Sequence, residues 1–295
     1  TSLHMGQASL KGQKASMSVS NSLRNPISAD EQTNLISVAH EMAEAAKKAI
    51  LPYFRGSDLA LENKDAEGFD PVTAADKAAE QAMRDVLATK RPQDGIWGEE
   101  FGRSSGLSGL SWVLDPIDGT RGFISGTPTW GVLIALSDQS GPLLGIIDQP
   151  YIGERFVGGF GQAYYNGPLG KRTLVARPAN KLDQATLFST YPEVGTKADY
   201  QGFRAVADRA NLVRYGADCY AYALLAAGQI DLVIEAGLNA YDIQAPIAVV
   251  EAAGGVVTNW QGGPAHLGGQ VVACADQQLL DEVLPLLAPY AVAAK

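Results

Sequence analysis

The segment Asp115-Pro116-Ile117-Asp118-Gly119-Thr120 places two carboxylates three residues apart, directly after the apolar run Trp112–Leu114. Two anions in one buried site repel each other, and a divalent cation removes the conflict. Pro116 sets the chain direction between them, and the Ile117 carbonyl offers a third oxygen. Gly119 and Thr120 then open a short helical turn, whose N–H groups suit a phosphate oxygen. One hexapeptide can therefore hold metal and phosphate together. The same residues also fit a plain strand end, with Asp115 as cap and Asp118-Gly119 as turn. Other acids strengthen the metal reading. Glu99 and Glu100 end another short apolar run. Asp242 opens a helix after Asn239-Ala240-Tyr241, and Asp76 lies early in a helix, where either can also serve the helix dipole. No His or Cys accompanies these acids, and an all-oxygen donor set favours Mg²⁺ or Mn²⁺ over Zn²⁺.

The elements that must position these residues follow from periodicity. Ser28 and Glu31 form a capping-box pattern ahead of a helix with Leu35, Ile36, Ala39, Met42, Ala43, Ala46 and Ile50 on one face. Pro52 and Gly56 end it, and Leu61 to Asp70 reads as a loop or weak hairpin. Thr73 is the expected cap of a second helix. From residue 95 the period changes to short strands: Gly95–Gly98, Leu110–Leu114, Trp130–Ser137, Leu143–Gln149, Arg155–Gly159 and Ala163–Tyr165, most of them an antiparallel meander. The second half alternates. Strands are expected at Thr186–Ser189, Leu212–Tyr215, Ile230–Ile234, Val256–Thr258 and Gln270–Ala273. Helices are expected at Tyr200–Ala210, Ala217–Ala227, Ile243–Ala253 and Gln277–Leu287. This predicts a mixed sheet with helices outside. The expected organisation is a disordered leader or tag over 1–29, an α+β subdomain over 30–175 carrying most metal ligands, and an α/β subdomain over 176–295 carrying the last ligand and the substrate pocket.

Composition narrows the function. With 23 basic and 32 acidic residues the net charge is −9, which argues against nucleic acid and against a polybasic membrane surface. Two cysteines, Cys219 and Cys274, and three histidines exclude a disulfide framework and a Cys- or His-rich metal centre. No apolar run is long enough to span a membrane. Residues 1–29 contain seven Ser and no Asp or Glu. They read as a non-native scar or as the remnant of an organelle transit peptide. The expected location is cytoplasmic, or organellar in the second case.

With Asp76 in Pro71–Asp76, Gly98-Glu99-Glu100, Asp115–Thr120 and Tyr241-Asp242 in this order, the chain resembles the inositol monophosphatase-like family of Mg²⁺-dependent phosphatases over about residues 30–292. The resemblance implies an α/β (α+β) fold, a layered αβαβα sandwich. It also implies that Glu99, Asp115, the Ile117 carbonyl, Asp118 and Asp242 bind two or three Mg²⁺ ions, with Mn²⁺ possible. Asp76 and Thr120 would position and help deprotonate the attacking water, together with Glu99 at the catalytic centre. Glu100 would support the ligands from behind, and Gly119 and Thr120 would hold the phosphate through their backbone. A homodimer and a small phosphate ester as partner are implied as well.

Finer features resemble the histidinol-phosphate phosphatase branch: Asp118–Gly126 (DGTRGFISG), Tyr215–Leu225 (YGADCYAYALL) and Tyr241–Ala245 (YDIQA). Inositol monophosphatases usually have Thr-Asn where this chain has Arg121-Gly122, a small residue at Asp218 and Trp at Tyr241. Asp218 lies at a helix start, so it is either an N-cap or a contact for a cationic substrate. Glu235 either accepts from a substrate amine or is a solvated strand-end charge. Arg121 either reaches the phosphate or pairs with a surface acid. Cys219, Trp112 and Trp130 read as core. The expected activity is histidinol-phosphate hydrolysis. The alternatives are an inositol-1-monophosphatase or broader sugar-phosphate phosphatase, and a non-catalytic regulatory or scaffold protein that keeps the fold.

Overall fold

A computed structural model describes residues 26–56, 61–63, 71–178, 181–191, 193 and 195–292. Most of the segment expected as a leader, residues 1–25, lies outside it. The first helix, α1 (Ala29–Ile50), begins after Ser28, whose hydroxyl accepts from the Glu31 N–H at 3.2 Å. Only this half of the capping box is seen, because Glu31 turns its carboxylate to Arg91 at 2.7 Å. The face predicted from spacing is buried, with Val38 in place of Ile36.

The weak hairpin consists of β1 (Leu61–Asn63) and β2 (Pro71–Thr73), which pair antiparallel. Helix α2 (Ala74–Lys90) follows Thr73 directly, but the Thr73 side chain, expected as its cap, lies outside the description. Then come β3 (Gly95–Gly98), β4 (Gly102–Ser104), β5 (Ser111–Asp118), the short α3 (Thr120–Ile124), β6 (Gly131–Asp138), β7 (Gly141–Gln149), β8 (Glu154–Gly159), β9 (Gln162–Gly167) and β10 (Gly170–Thr173). Strands β4 and β10 have no sequence forecast: they are short, polar and fully exposed, so no apolar alternation marks them. The eight strands form one sheet in the order β10-β9-β8-β7-β6-β5-β3-β4. All neighbours are antiparallel except β3 and β5, which run parallel.

The chain then builds β11 (Thr186–Ser189), α4 (Lys197–Ala207), β12 (Leu212–Tyr215), α5 (Cys219–Ala226), β13 (Leu232–Leu238), α6 (Ala240–Ala252), β14 (Val256–Asn259), β15 (Gly269–Cys274) and α7 (Gln277–Leu287). Helix α4 starts three residues before the expected position because Thr196 and Asp199 form a capping box. The second sheet is mixed, in the order β12-β11-β13-β15-β14.

Three apolar clusters define five layers. Helices α1 and α2 cover one face of the large sheet with Met42, Met83, Trp112 and Trp130. Helices α5 and α6 fill the space between the sheets with Tyr222, Val249, Leu133 and Val271. Helices α4 and α7 cover the outer face of the second sheet around Phe203 and Trp260. The fold is thus an αβαβα sandwich. Helix α6 lies very close to the large sheet. A Cβ on Gly145 would sit 2.4 Å from the Ala245 carbonyl oxygen, and one on Gly158 would sit 2.5 Å from the Val249 Cα. These two glycines let the start of α6, with Asp242, approach the end of β5.

Candidate active site

Strand β5 carries the central acids. In a regular strand, residues three apart face opposite sides of the sheet. The ladder between β5 and β6 pairs Asp115 with Leu133 but Asp118 with Gly131, so β5 holds one extra residue between them. This bulge lets both carboxylates serve one site. Their ligand oxygens and one of Asp242 all lie within 4.8 Å of one another. The Ile117 N–H donates to Asp115 Oδ1 at 3.1 Å, and the Thr120 hydroxyl donates to the Ile117 carbonyl at 3.2 Å. Gly119 turns the chain into α3 with φ +83°, a conformation that suits glycine.

Other elements converge here. Asp242 closes a capping box at the start of α6, accepting from the Asn239 N–H at 2.6 Å through Oδ2. The helix-start role and a ligand role are therefore compatible, because a carboxylate has further lone pairs. Glu99 enters from the end of β3. Its loop is fastened by Glu80, a fully buried residue of α2 that sequence reasoning missed. Glu80 accepts from the Glu100 N–H at 2.7 Å, from the Phe101 N–H at 3.2 Å and from Arg84 at 2.8 Å. A Cβ on Gly98 would lie 1.9 Å from Glu80 Oε1, which accounts for glycine before Glu99. A second acid one turn after Asp76 on the inner face of the helix was the available signal.

These residues line one pocket of about 320 Å³. It takes in Glu99, Asp115, Ile117, Asp118, Gly119, Thr120, Arg121, Asp218, Glu235 and Asp242, together with Thr190, Tyr191 and Gly237 and Leu238 at the end of β13, which had no sequence signal. Asp76 and Glu100 are not in the lining. Asp76 is buried in the first turn of α2, near enough for its charge to raise Asp115.

The electrostatics are those of crowded acids. Burial pushes Asp115 well above the usual carboxylate range, and Glu99, Asp118, Asp242 and Asp76 push it further. Asp118 is raised by burial and then by Asp218 and Asp242, although the Cys219 N–H bonds its Oδ2 at 2.7 Å. Burial lifts Asp242 to about 7. Like-charged oxygens this close are what a divalent cation offsets, so the donor set can hold a metal.

The structure removes one alternative at each of two pocket residues. Asp218 is not a side-chain cap: it makes no capping hydrogen bond and sits at φ +45°, ψ −135°. Its carboxyl instead packs over the turn at Gly119, with Cγ 2.9 Å from where a Gly119 Cβ would be. Burial raises it to about 6, against a favourable charge from Arg121. Glu235 is not a solvated strand-end charge. It is 5% exposed and accepts from the Thr190 hydroxyl at 2.8 Å, and burial lifts it to about 8. Arg121 is exposed at the mouth, 5.6 Å from the Tyr191 ring. Cys219, Trp112 and Trp130 are core residues, as expected.

A profile of the inositol monophosphatase family matches residues 31–290. The chain belongs to this family. It is therefore a phosphatase, and its family is metal-dependent. Among its relatives is a protein named bifunctional phosphatase IMPL2, chloroplastic, of Arabidopsis thaliana, 39% identical over 83% of this chain and 69% of that one. A histidinol-phosphatase of Mycobacterium tuberculosis is 34% identical over 85% of this chain and 96% of its own. The solved structure of an inositol monophosphatase from Zymomonas mobilis superposes with a TM-score of 0.77 at 39% identity, over 88% of this chain and 99% of that one. Among the described residues of this family member, no helix is long and apolar enough to cross a membrane.

Proposed function

We propose that the protein hydrolyses L-histidinol phosphate to L-histidinol and inorganic phosphate, as a step of histidine biosynthesis. Asp218 carries this reading. Its carboxylate faces the phosphate turn, caps nothing, and is held in a backbone conformation that ordinary residues avoid. A phosphate ester bearing an ammonium group accounts for such a residue, and inositol, which offers only hydroxyls, does not. The histidinol-phosphatase relative supports the same assignment.

In this reading Glu99, Asp115, the Ile117 carbonyl, Asp118 and Asp242 hold two or three Mg²⁺ ions, with Mn²⁺ as the alternative. Bound there, the ions supply Lewis acidity, which acidifies water and screens phosphoryl charge. The chain supplies orientation. The Thr120 hydroxyl aligns the attacking water, and the water's proton passes to the Asp76 carboxylate. The Gly119 and Thr120 N–H groups and Arg121 hold the phosphoryl oxygens. Glu100 and Glu80 keep Glu99 in place. The water oxygen bonds to phosphorus in line with the ester oxygen. The P–O bond breaks with its electron pair on the leaving oxygen, which is then protonated. Asp218 and Glu235 face the amino end. The proposed location is cytoplasmic, or organellar if residues 1–29 act as a transit peptide, which the relative named chloroplastic supports.

A second reading, inositol 1-phosphate or a broader sugar phosphate, is favoured by the similarity to the Zymomonas inositol monophosphatase. Phosphate release with Mg²⁺ from histidinol phosphate and from inositol 1-phosphate, at equal concentrations, separates the two. A preference for the inositol ester overturns the first reading.

A further inference from the structure

The pocket has a floor that the mechanism above leaves unused. A recess of about 20 Å³ lies beneath it. Asp118, Thr190, Asp218, Glu235, Leu238 and Asp242 line both spaces, so the recess opens onto the pocket. Cys219 and Tyr222 of α5 close its inner end. Tyr222 is 3% exposed, and its hydroxyl makes no hydrogen bond to any described residue. Buried phenols ordinarily find a partner, since an unmet hydroxyl keeps its full desolvation penalty.

We propose that this recess is the subsite for the primary ammonium group of the substrate, with the Tyr222 hydroxyl as the contact that sets specificity. The inference rests on the histidinol-phosphate reading and adds a residue to it. Size is the first argument. A group the size of water needs about 10–15 Å³, so the recess has room for one ammonium nitrogen, and N-methylation would remove the donors that its acceptors need. Hydrogen-bond count is the second. An ammonium has three donors and no acceptor, and a hydroxyl offers one donor. Tyr222 oxygen, Glu235 and Asp218 are three acceptors. Glu235 retains lone pairs beyond those used by Thr190 at 2.8 Å and Ser189 at 3.5 Å. A substrate hydroxyl at the same place accepts from Tyr222 but has only one proton for the two carboxyl groups, so one of them is left unmet. Charge is the third, because a cation is the group that lets the buried Asp218 and Glu235 carboxyls ionise together.

The test compares the Mg²⁺-loaded wild type with Tyr222→Phe on histidinol phosphate, on its analogue with hydroxyl in place of the amine, and on its N,N-dimethyl analogue. The wild type should prefer the primary amine to both. Tyr222→Phe should cut the amine-to-hydroxyl ratio of kcat/KM by about tenfold or more. The loss should fall on KM, with the melting temperature and Mg²⁺ dependence of the wild type retained. A ratio within about twofold of wild type, or equal losses on both esters, overturns the assignment of Tyr222. Equal use of the dimethyl analogue by the wild type overturns the recess itself. If the wild type shows no preference for the amine over the hydroxyl analogue, the histidinol-phosphate reading fails and this inference falls with it.

Discussion

Asp218→Gly separates the two demands on this position. The backbone at φ +45°, ψ −135° is open to glycine and strained for any other residue. Such strain costs about 1–3 kcal/mol. Glycine returns up to about 1 kcal/mol through the greater freedom of the unfolded chain. The exchange also removes a buried carboxylate with a raised pKa of about 6. The net expectation is a stability gain of about 1 kcal/mol, or about 2–4 °C in melting temperature for a chain this long. Function should move the other way. A hydrogen bond to a charged group contributes about 1.5–3 kcal/mol, so KM for histidinol phosphate should rise about 10- to 100-fold. The rise for inositol 1-phosphate should be far smaller. Asp218→Asn keeps the size and the strain, so it should share the functional loss without the stability gain. The assays are thermal melting of the three proteins in one buffer and steady-state phosphate release on the two esters. Equal KM losses on both esters would refute the amine role, and a lower melting temperature for the glycine variant would refute the strain argument.

Other perturbations test the remaining parts of the site. Asp118→Asn should abolish turnover while the melting temperature without divalent cation stays equal or rises, because one of several repelling carboxylates is gone; near-normal activity would sink the metal assignment. Gly98→Ala drives a Cβ into Glu80 and should cost about 1–3 kcal/mol. It should also raise the Mg²⁺ concentration needed for half-maximal activity by displacing Glu99, and an unchanged Mg²⁺ requirement would count against the Glu80 clamp. Asp242 at about 7 and Glu235 at about 8 keep protons that an unfolded chain loses near pH 4. Folded-state pKa values raised in this way mean that stability without divalent cation falls as pH climbs from about 4 to about 8. Added Mg²⁺ should raise the melting temperature more at pH 8 than at pH 5, and a pH-independent effect would contradict the crowding of these acids.

Much of this protein is legible without coordinates. Apolar spacing marks α1, α2, the meander strands and the alternation of the second half, because burial of one face imposes a period on the residue types. The acids of the site are legible as well, since few chemistries other than cation binding need carboxylates without His or Cys at strand ends. Three matters depended on the tertiary structure. The pairing of Asp115 with Asp118 needs the β5 bulge, which appears only in the register against β6. Whether Asp218 is a side-chain cap was undecided locally, because a cap and a substrate contact put the same residue at a helix start; the missing capping bond and the packing of its carboxyl over Gly119 exclude the cap. Glu80 and Tyr222 sit inside helical stripes that read as ordinary core. Their polar atoms acquire meaning only from what folding brings close, the Glu99 loop for one and the carboxyl of Glu235 across the recess for the other. Periodicity states which face is buried, but only the packed chain states against what.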